Sequence, residues 1–365
     1  MSNKKLVVLG IIAIVMVLLA GAQLRISTRR SFAPTGPSYL IQGLDTAEIA
    51  SIVLGTGDNQ VILTRKGNRF VVETKGDYPA KTNEINGVIA ACLDIKTAEL
   101  VTRNPANHAD LGVTEEKARH VVKLFGKDAE PITGVLISPP DTDKERVYVR
   151  LISSNDVYLT LESRWPSKFS NMDFIDKALT TVDRDKITSV TVTSPDGSYT
   201  LKKEGTGSVI ALENMPAGKK LKDDDYERVF YMLTSLYFND VKKEASDAPE
   251  LRFDRTYICR LADSTVYTLA AAKQDDKTYI KCDAMFTDKT LVTKERGVES
   301  EEELKKKEAK LLAKDSVRTF SEKHAGWIYE IAQGQADNMT REVDDLLEDI
   351  EEKEDVEESD EEDSA

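Results

Sequence analysis

The residues with the widest chemical range in this sequence are its few histidines and cysteines. They are His108, His120, His324, Cys92, Cys259 and Cys282. A zinc site usually draws ligands from pairs that lie about two to five residues apart. None of these six residues has a neighbour of its kind at that spacing. The spacing therefore predicts neither a metal site nor a bound cofactor.

The three cysteines leave two interpretations open. An odd and sparse set does not form a disulfide framework of the kind found in small secreted domains. Cys259 and Cys282 both fall in strand-like segments of the second half of the chain. They are either two buried thiols, which are common in protein cores, or a disulfide formed in an oxidising compartment.

Motifs that would carry catalysis are missing from the sequence. It contains no P-loop, no nucleophile elbow, no HExxH pair and no glycine-rich dinucleotide motif. The Gly-Thr-Gly at 55–57 joins two strand-like segments, so it predicts a hairpin turn and not an anion site at a helix N-terminus. Asp223–Asp225 precede a helical segment and are expected to cap it. We predict a protein that is not an enzyme, with a hydrolase using carboxylates from both halves as the remaining catalytic hypothesis.

The net charge of −14 is concentrated at the C-terminus. Residues 342–365 contain fifteen acidic residues and one lysine, so the first 341 residues are formally neutral. A neutral body argues against a nucleic-acid partner, which would normally require a basic surface. Runs of like charge repel each other, so residues 351–365 are predicted to form a disordered acidic tail.

An uncharged apolar segment, Leu6–Leu24, lies close to the N-terminus. As a helix its nineteen residues would be about 28 Å long, close to the thickness of the hydrocarbon core of a bilayer. A signal peptide cleaved near Ala20–Ala22 is the alternative, but the apolar run is longer than its usual core. We predict a membrane anchor at 1–24 and a linker at 25–44. Basic residues flank the segment on both sides, so the positive-inside rule does not choose an orientation. A short N-terminus usually leaves the body outside the cytoplasm, and we therefore expect the body on the periplasmic face of the inner membrane.

Two segments of the body repeat one pattern at an offset of about 138 residues. Ile49–Gly67 and Ile187–Gly205 each alternate apolar and polar residues around a Gly/Asp turn, which is typical of a β-hairpin. Helical periodicity follows in Thr82–Leu100 and in Lys222–Val241. The other predicted strands are Phe70–Glu73, His120–Phe125, Val147–Leu151, Val157–Leu161, Val209–Leu212, Thr256–Leu261, Thr278–Cys282 and Trp327–Ile331, and the closing helices are Asn171–Leu179 and Ala336–Ile350.

These elements predict an α+β protein. Its body would be two tandem repeats of antiparallel sheet with helices packed on one face, covering 45–183 and 184–350, behind an N-terminal transmembrane helix. A charged helical insertion at about 294–323 interrupts the second repeat, and its Glu301–Glu303 and Lys305–Lys307 form i,i+4 pairs. Two interpretations stay open for this helix, a solvated projection or a docking arm for a partner helix. The candidate docking residues are Leu304, Leu311 and Leu312.

One segment carries a resemblance to a known family. After the anchor, hairpin and helix comes Asn104-Pro105, followed by Leu111-Gly112-Val113 and a Val-Tyr-Leu strand at 157–159. This order resembles the domain-of-unknown-function 4340 family over about Leu6–Ile350. The second repeat departs from the motif, with Ala248–Leu251 in its place.

The resemblance implies a bacterial envelope protein that assists an ABC transporter of the gliding-motility type. It implies no catalytic residues. We therefore expect a membrane-anchored, non-enzymatic auxiliary subunit that meets an ABC permease or ATPase and binds no nucleic acid. A stand-alone envelope scaffold or ligand-binding protein is the second hypothesis.

Overall fold

A computed structural model describes residues 38–140, 146–160, 169–205, 209–222, 224–244, 251–293 and 300–350. The predicted anchor, most of the linker, the acidic tail and the start of the charged insertion lie outside these residues. No helix in the described ranges is both long enough and apolar enough to cross a membrane. The chain divides into two compact units, one formed by Met1–Arg65 with Asn83–Phe169 and one by Lys66–Thr82 with Ser170–Ala365.

The described part of the first unit is an antiparallel sheet with one α-helix. Its helix, α1, spans Thr82–Leu93 and buries Ile85, Val88, Ile89 and Cys92. The strands are β1 Ser38–Tyr39, β2 Ser51–Leu54, β3 Val61–Lys66, β6 Lys96–Thr102, β7 His120–Phe125, β8 Pro131–Ile137, β9 Val147–Leu151 and β10 Val157–Thr160. They are hydrogen-bonded in the order β1-β6-β10-β9-β8-β7-β2-β3.

The second unit begins with a hairpin of β4 Arg69–Val72 and β5 Tyr78–Pro79. Its large sheet contains β11 Ala178–Thr180, β12 Ile187–Ser194, β13 Gly197–Lys203, β14 Ile210–Leu212, β16 Leu236–Lys243, β17 Arg255–Leu261, β18 Thr265–Gln274, β19 Lys277–Phe286 and β20 Trp327–Ile331. The order is β11-β16-β20-β19-β18-β17-β12-β13-β14, and β15 Lys219–Leu221 pairs separately with β21 Leu347–Asp349. Three helices complete the unit: α2 Asp225–Phe230, α3 Glu301–His324 and α4 Gln333–Met339.

The predicted fold class is confirmed at the level of an α+β protein built mainly from antiparallel sheet. The two predicted hairpins are both present, with Ile52 opposite Leu63 in one and Val190 opposite Leu201 in the other. The first eight positions of the two strand orders also correspond, from β1 and β11 at one edge to β3 and β13. The compact units nevertheless differ from the repeats in sequence, because residues 66–82 lie in the second unit.

Four predicted helices were wrong in extent or type. α1 ends at Leu93, and β6 occupies the remainder of the predicted segment. In Lys222–Val241 only Asp225–Phe230 is α-helical, because Leu236, Phe238 and Val241 are buried on one face of β16. The segment Asn171–Leu179 forms one 3-10 turn and then enters β11, which pairs with β16. Ala336–Ile350 divides into the end of α4, a 3-10 turn and β21.

The charged insertion is also corrected in part. Ser300 caps α3 at its N-terminus and forms a capping box with Glu303. Its C-terminal half does not project into solvent, because Val317 is buried and the Phe320 ring packs against Tyr267 with 5.0 Å between centroids. Ser321 Oγ accepts a hydrogen bond from the Ala284 N–H of β19 at 3.3 Å. Only the outer face and the N-terminal turns of α3 are solvated.

Gly134 in β8 gives the first unit a specific packing requirement. A Cβ at this position would lie 2.4 Å from Ile152 Cδ1 and 3.0 Å from the carbonyl oxygen of Val122. We expect Gly134→Ala to lower the free energy of unfolding of the first unit by about 1–3 kcal/mol through overpacking. Denaturant unfolding measures the change. Gly126→Ala is the control because its Cβ would meet nothing closer than 3.7 Å, and equal losses in both variants would contradict the prediction.

Candidate binding pocket

The three histidines all have structural roles. His108 Nε2 is hydrogen-bonded to the backbone carbonyl of Asn155 at 3.1 Å, and His324 Nδ1 lies 2.6 Å from the hydroxyl of Tyr329. Burial lowers the pKa of both His120 and His324 to about 4. Among the described residues, no three His, Cys, Asp or Glu side chains are grouped closely enough to hold a metal ion.

The three cysteines are buried and free. Burial raises the pKa of the Cys92 and Cys259 thiols to about 12 and raises that of Cys282 further, so all three stay protonated and poorly nucleophilic. Cys259 is on β17 and Cys282 on β19, with β18 between them. Two strand spacings separate the pair by about 10 Å, whereas a disulfide requires Cα atoms within about 7 Å. Of the two interpretations, the structure supports buried thiols.

The Asn-Pro…Leu-Gly segment has a structural role in the first unit. Asn104 accepts a hydrogen bond from the Ala106 N–H and so caps a short 3-10 helix at Pro105–Asn107. The chain then turns at Gly112 and buries Val113 in a cluster with Val121, Leu136 and Val157. Arg150 donates from Nε to the Val113 carbonyl at 3.1 Å and from Nη1 to the Ser154 carbonyl at 2.9 Å. The motif therefore fixes a loop over the sheet.

Within the described ranges, the remaining residues singled out from the sequence do not come together in one site. The Gly-Thr-Gly at 55–57 joins β2 to β3, where Gly55 and Gly57 have positive φ. Asp223 lies outside the described residues, and Asp224 makes no side-chain capping bond to α2. Leu304, Leu311 and Leu312 are more than half exposed, and Leu304 and Leu311, seven residues apart, share an exposed face of α3.

The second unit contains a polar pocket. Its volume is about 690 Å³, within the range of about 300–1,000 Å³ typical of small-molecule sites. Its lining includes Ala271 and Ala272 of β18 and Thr278 of β19, all three buried. Alanine is disfavoured in strands because it offers little side chain to pack. Consecutive strand residues point to opposite faces, so the short side chain of one of these alanines leaves space on the pocket face of the sheet.

Two arginines in the pocket are held by carboxylates. Arg255 Nη1 lies 2.8 Å from Glu342 Oε1, and the other oxygen of Glu342 accepts a hydrogen bond of 2.8 Å from Ser194 Oγ. Arg341 Nη1 lies 2.9 Å from Asp225 Oδ2. The side chains of these ion-paired residues are only 21–37% exposed, so their geometry is fixed more firmly than in a fully solvated pair.

The lining contains both signs of charge beyond these two ion pairs. The further charged residues are Lys222, Lys273, Asp337, Asp344 and Asp345. The sequence predicted Asp225 as a helix cap and did not single out either arginine, because the pocket combines residues from α2, α4, four strands and the segment between α4 and β21. The Ala-Ala-Ala-Lys run at 270–273 was the one local signal of a depression in the sheet.

A comparison with models of protein families assigns the chain to one family. The family model described as "Domain of unknown function (DUF4340)" matches residues 71–256, about half of the chain. The match confirms the resemblance drawn from the sequence, and the chain belongs to this family. No match was found among curated proteins or among solved structures.

Proposed function

We propose that this protein is a membrane-anchored, non-enzymatic auxiliary subunit of an ABC-type transport system that binds a protein or a ligand outside the cytoplasm. The pocket of the second unit carries the binding part of the proposal, because its arginines are fixed by Glu342 and Asp225. The family resemblance supports a transporter as the partner. The uncharged segment Leu6–Leu24 supports attachment to the membrane.

Two features favour binding over catalysis. The buried histidines are hydrogen-bonded or packed in the core, and the buried thiols have raised pKa values. The hydrolase hypothesis requires carboxylates from both halves, whereas Asp225 and Glu342 both belong to the second unit and are each bound to an arginine. We further propose that the body is a tandem duplication, which the matching strand orders of the two large sheets support.

In-cell crosslinking is the direct test. The full-length protein would be crosslinked, extracted in detergent, affinity-purified and identified with its partners by mass spectrometry. We expect an ABC permease and an ATPase in a defined ratio. Recovery of the protein alone would contradict the transporter assignment and favour a stand-alone scaffold or ligand-binding protein, the second candidate that the pocket supports.

The outer face of α3 is the proposed contact surface for that partner. We expect the double substitution Leu304→Glu with Leu311→Glu to reduce recovery of the permease at least about tenfold, since it places two charges in an apolar contact. The folded body should be unaffected because both leucines are 53% exposed. Deletion of 294–323 is a poorer test because it would uncover the partners of Val317 and Phe320.

Leu100→Glu on β6 is the matched control, since Leu100 is also an exposed leucine but lies in the first unit. The control should leave permease recovery unchanged. Undiminished recovery with the double variant would show that α3 is not the contact surface. The transporter assignment would still be decided by the crosslinking result.

A further inference from the structure

We propose that the pocket of the second unit binds a small zwitterion, a molecule with an ammonium group and a carboxylate or phosphate group. The inference rests on the proposed binding function and names the class of ligand. Free amino acids, short peptides and ethanolamine phosphate headgroups share this chemistry.

The anionic group of the ligand would be bound by the arginines. The ion pairs engage Nη1 of Arg341 and of Arg255, and an arginine has five N–H donors in a planar fork. Further donors of each fork are therefore available to a carboxylate or phosphate, which arginine can bind through two parallel bonds. Asp225 and Glu342 hold the forks in place before the ligand arrives, which lowers the entropic cost of binding.

The ammonium group of the ligand would be bound by the aspartates of the lining that have no arginine partner. Asp344 and Asp345 line the pocket and are exposed, and within the described residues neither is paired with a basic side chain. Asp337 also lines the pocket and accepts a hydrogen bond from Gln333 Nε2 at 2.7 Å. Carboxylates attract an ammonium group without requiring the fixed geometry that a metal ion demands.

The charge balance favours a zwitterion over an ion of one sign. The lining has four basic and five acidic residues, and two arginine–carboxylate pairs neutralise four of these nine. Two basic residues, Lys222 and Lys273, and three aspartates then remain outside the ion pairs. A simple anion would satisfy only the first group, and a simple cation only the second. Leu347 is the one large apolar side chain in the lining, which argues against an apolar ligand.

Calorimetric titration of the full-length chain in detergent tests the inference. The probes are L-alanyl-L-alanine, its N-acetyl form, its C-terminal amide and glycerophosphoethanolamine. We expect at least one zwitterion to bind about tenfold or more tightly than both singly charged dipeptide derivatives. Binding of the dipeptide would identify a peptide source, whereas binding of glycerophosphoethanolamine alone would identify a lipid headgroup; both outcomes support the inference. Failure of both zwitterions to bind, or equal binding of the N-acetyl form, would overturn it.

Two pocket variants locate the site. We expect Arg341→Gln to weaken binding of the zwitterion about tenfold or more and Lys273→Ala to weaken it about threefold. Lys273 is exposed, so its variant keeps the test valid if Arg341→Gln does not fold. Lys305→Ala, at an exposed pair with Glu301 on α3, should leave affinity unchanged. Unchanged affinity in Lys273→Ala together with unchanged affinity in a folded Arg341→Gln would place binding elsewhere. Recovery of an ABC permease does not depend on these results, so the two proposals fail separately.

Discussion

Replacing Tyr78 with alanine should lower the free energy of unfolding of the second unit by about 3–5 kcal/mol, the range for truncating a buried aromatic side chain. Tyr78 is 2% exposed in the short β4–β5 hairpin. Its ring meets Trp327 edge to face at 4.9 Å and Phe238 at 5.9 Å between centroids. Truncation would leave a cavity next to rings fixed by the sheet, so little relaxation could fill it.

Urea denaturation followed by fluorescence of Trp327 measures the loss, in a background where Trp165 is replaced by phenylalanine. Tyr78→Phe keeps the ring and should stay within about 1.5 kcal/mol of the parent. Tyr237→Ala is the matched control, because that tyrosine is 48% exposed on β16. A loss in Tyr78→Ala no greater than in Tyr237→Ala would show that the hairpin does not hold the second unit together.

The position of Tyr78 in the second unit shows a contact that local sequence patterns cannot predict. By sequence it belongs to the first repeat, directly after the β2–β3 hairpin. Its ring partners Phe238 and Trp327 lie far along the chain, and no periodicity in a short window relates such residues. Lys75 in the same segment is paired with Asp240 at 2.6 Å, which adds a second distant contact. The two hairpins were therefore predictable from the sequence, but the composition of the compact units was not.

The predicted ends of the helices were wrong for a different reason. In Lys222–Val241 the residues Val229, Phe230 and Leu233 have helical spacing. Leu236 also fits that spacing, although it is the first residue of a strand. The alternation of Leu236 and Phe238 with exposed Tyr237 then fits a strand, whose hydrogen bonds to β20 and β11 decide the outcome. β8 and β18 were missed because Gly134 and the alanines at 270–272 weaken the alternating apolar signal.

The pocket lay beyond prediction because it is assembled by tertiary structure. Arg255 and Arg341 are far apart in sequence, with β18, β19, α3, β20 and α4 between them, yet both line one cavity. In sequence each is an ordinary surface arginine, and only the ion pairs with Glu342 and Asp225 distinguish them. By contrast, buried thiols were already one of the two interpretations that residue type and number left open for Cys259 and Cys282.

Lowering the pH from 7 to 5 should destabilise both units, because each contains a buried histidine that is neutral in the folded state. Burial is the main cause that lowers the pKa of His120 in the first unit and of His324 in the second to about 4. An unfolded chain would return each imidazole to a pKa of about 6.5. Between these two values the unfolded state binds more protons, so the free energy of unfolding falls as pH falls.

The stabilisation is fully present above about pH 6.5 and is lost progressively until about pH 4. A shift of this size corresponds to about 3 kcal/mol per histidine, of which about 2 kcal/mol should be lost between pH 7 and pH 5. The groups around His324 modify the effect: Lys323 lowers its pKa further, and Asp176 raises it. Arg119 acts on His120 in the same direction as burial.

Hydrogen exchange with mass spectrometry, corrected for intrinsic exchange at each pH, follows the two units separately through their own peptides. His324→Gln should flatten the pH dependence of the second unit and leave that of the first unchanged, and His120→Gln should do the reverse. Each variant also loses packing at every pH, but that loss cancels because only the difference between pH 7 and pH 5 is compared. A second unit that keeps its full pH dependence in His324→Gln would mean that other groups bind the protons, since Gln cannot titrate in this range.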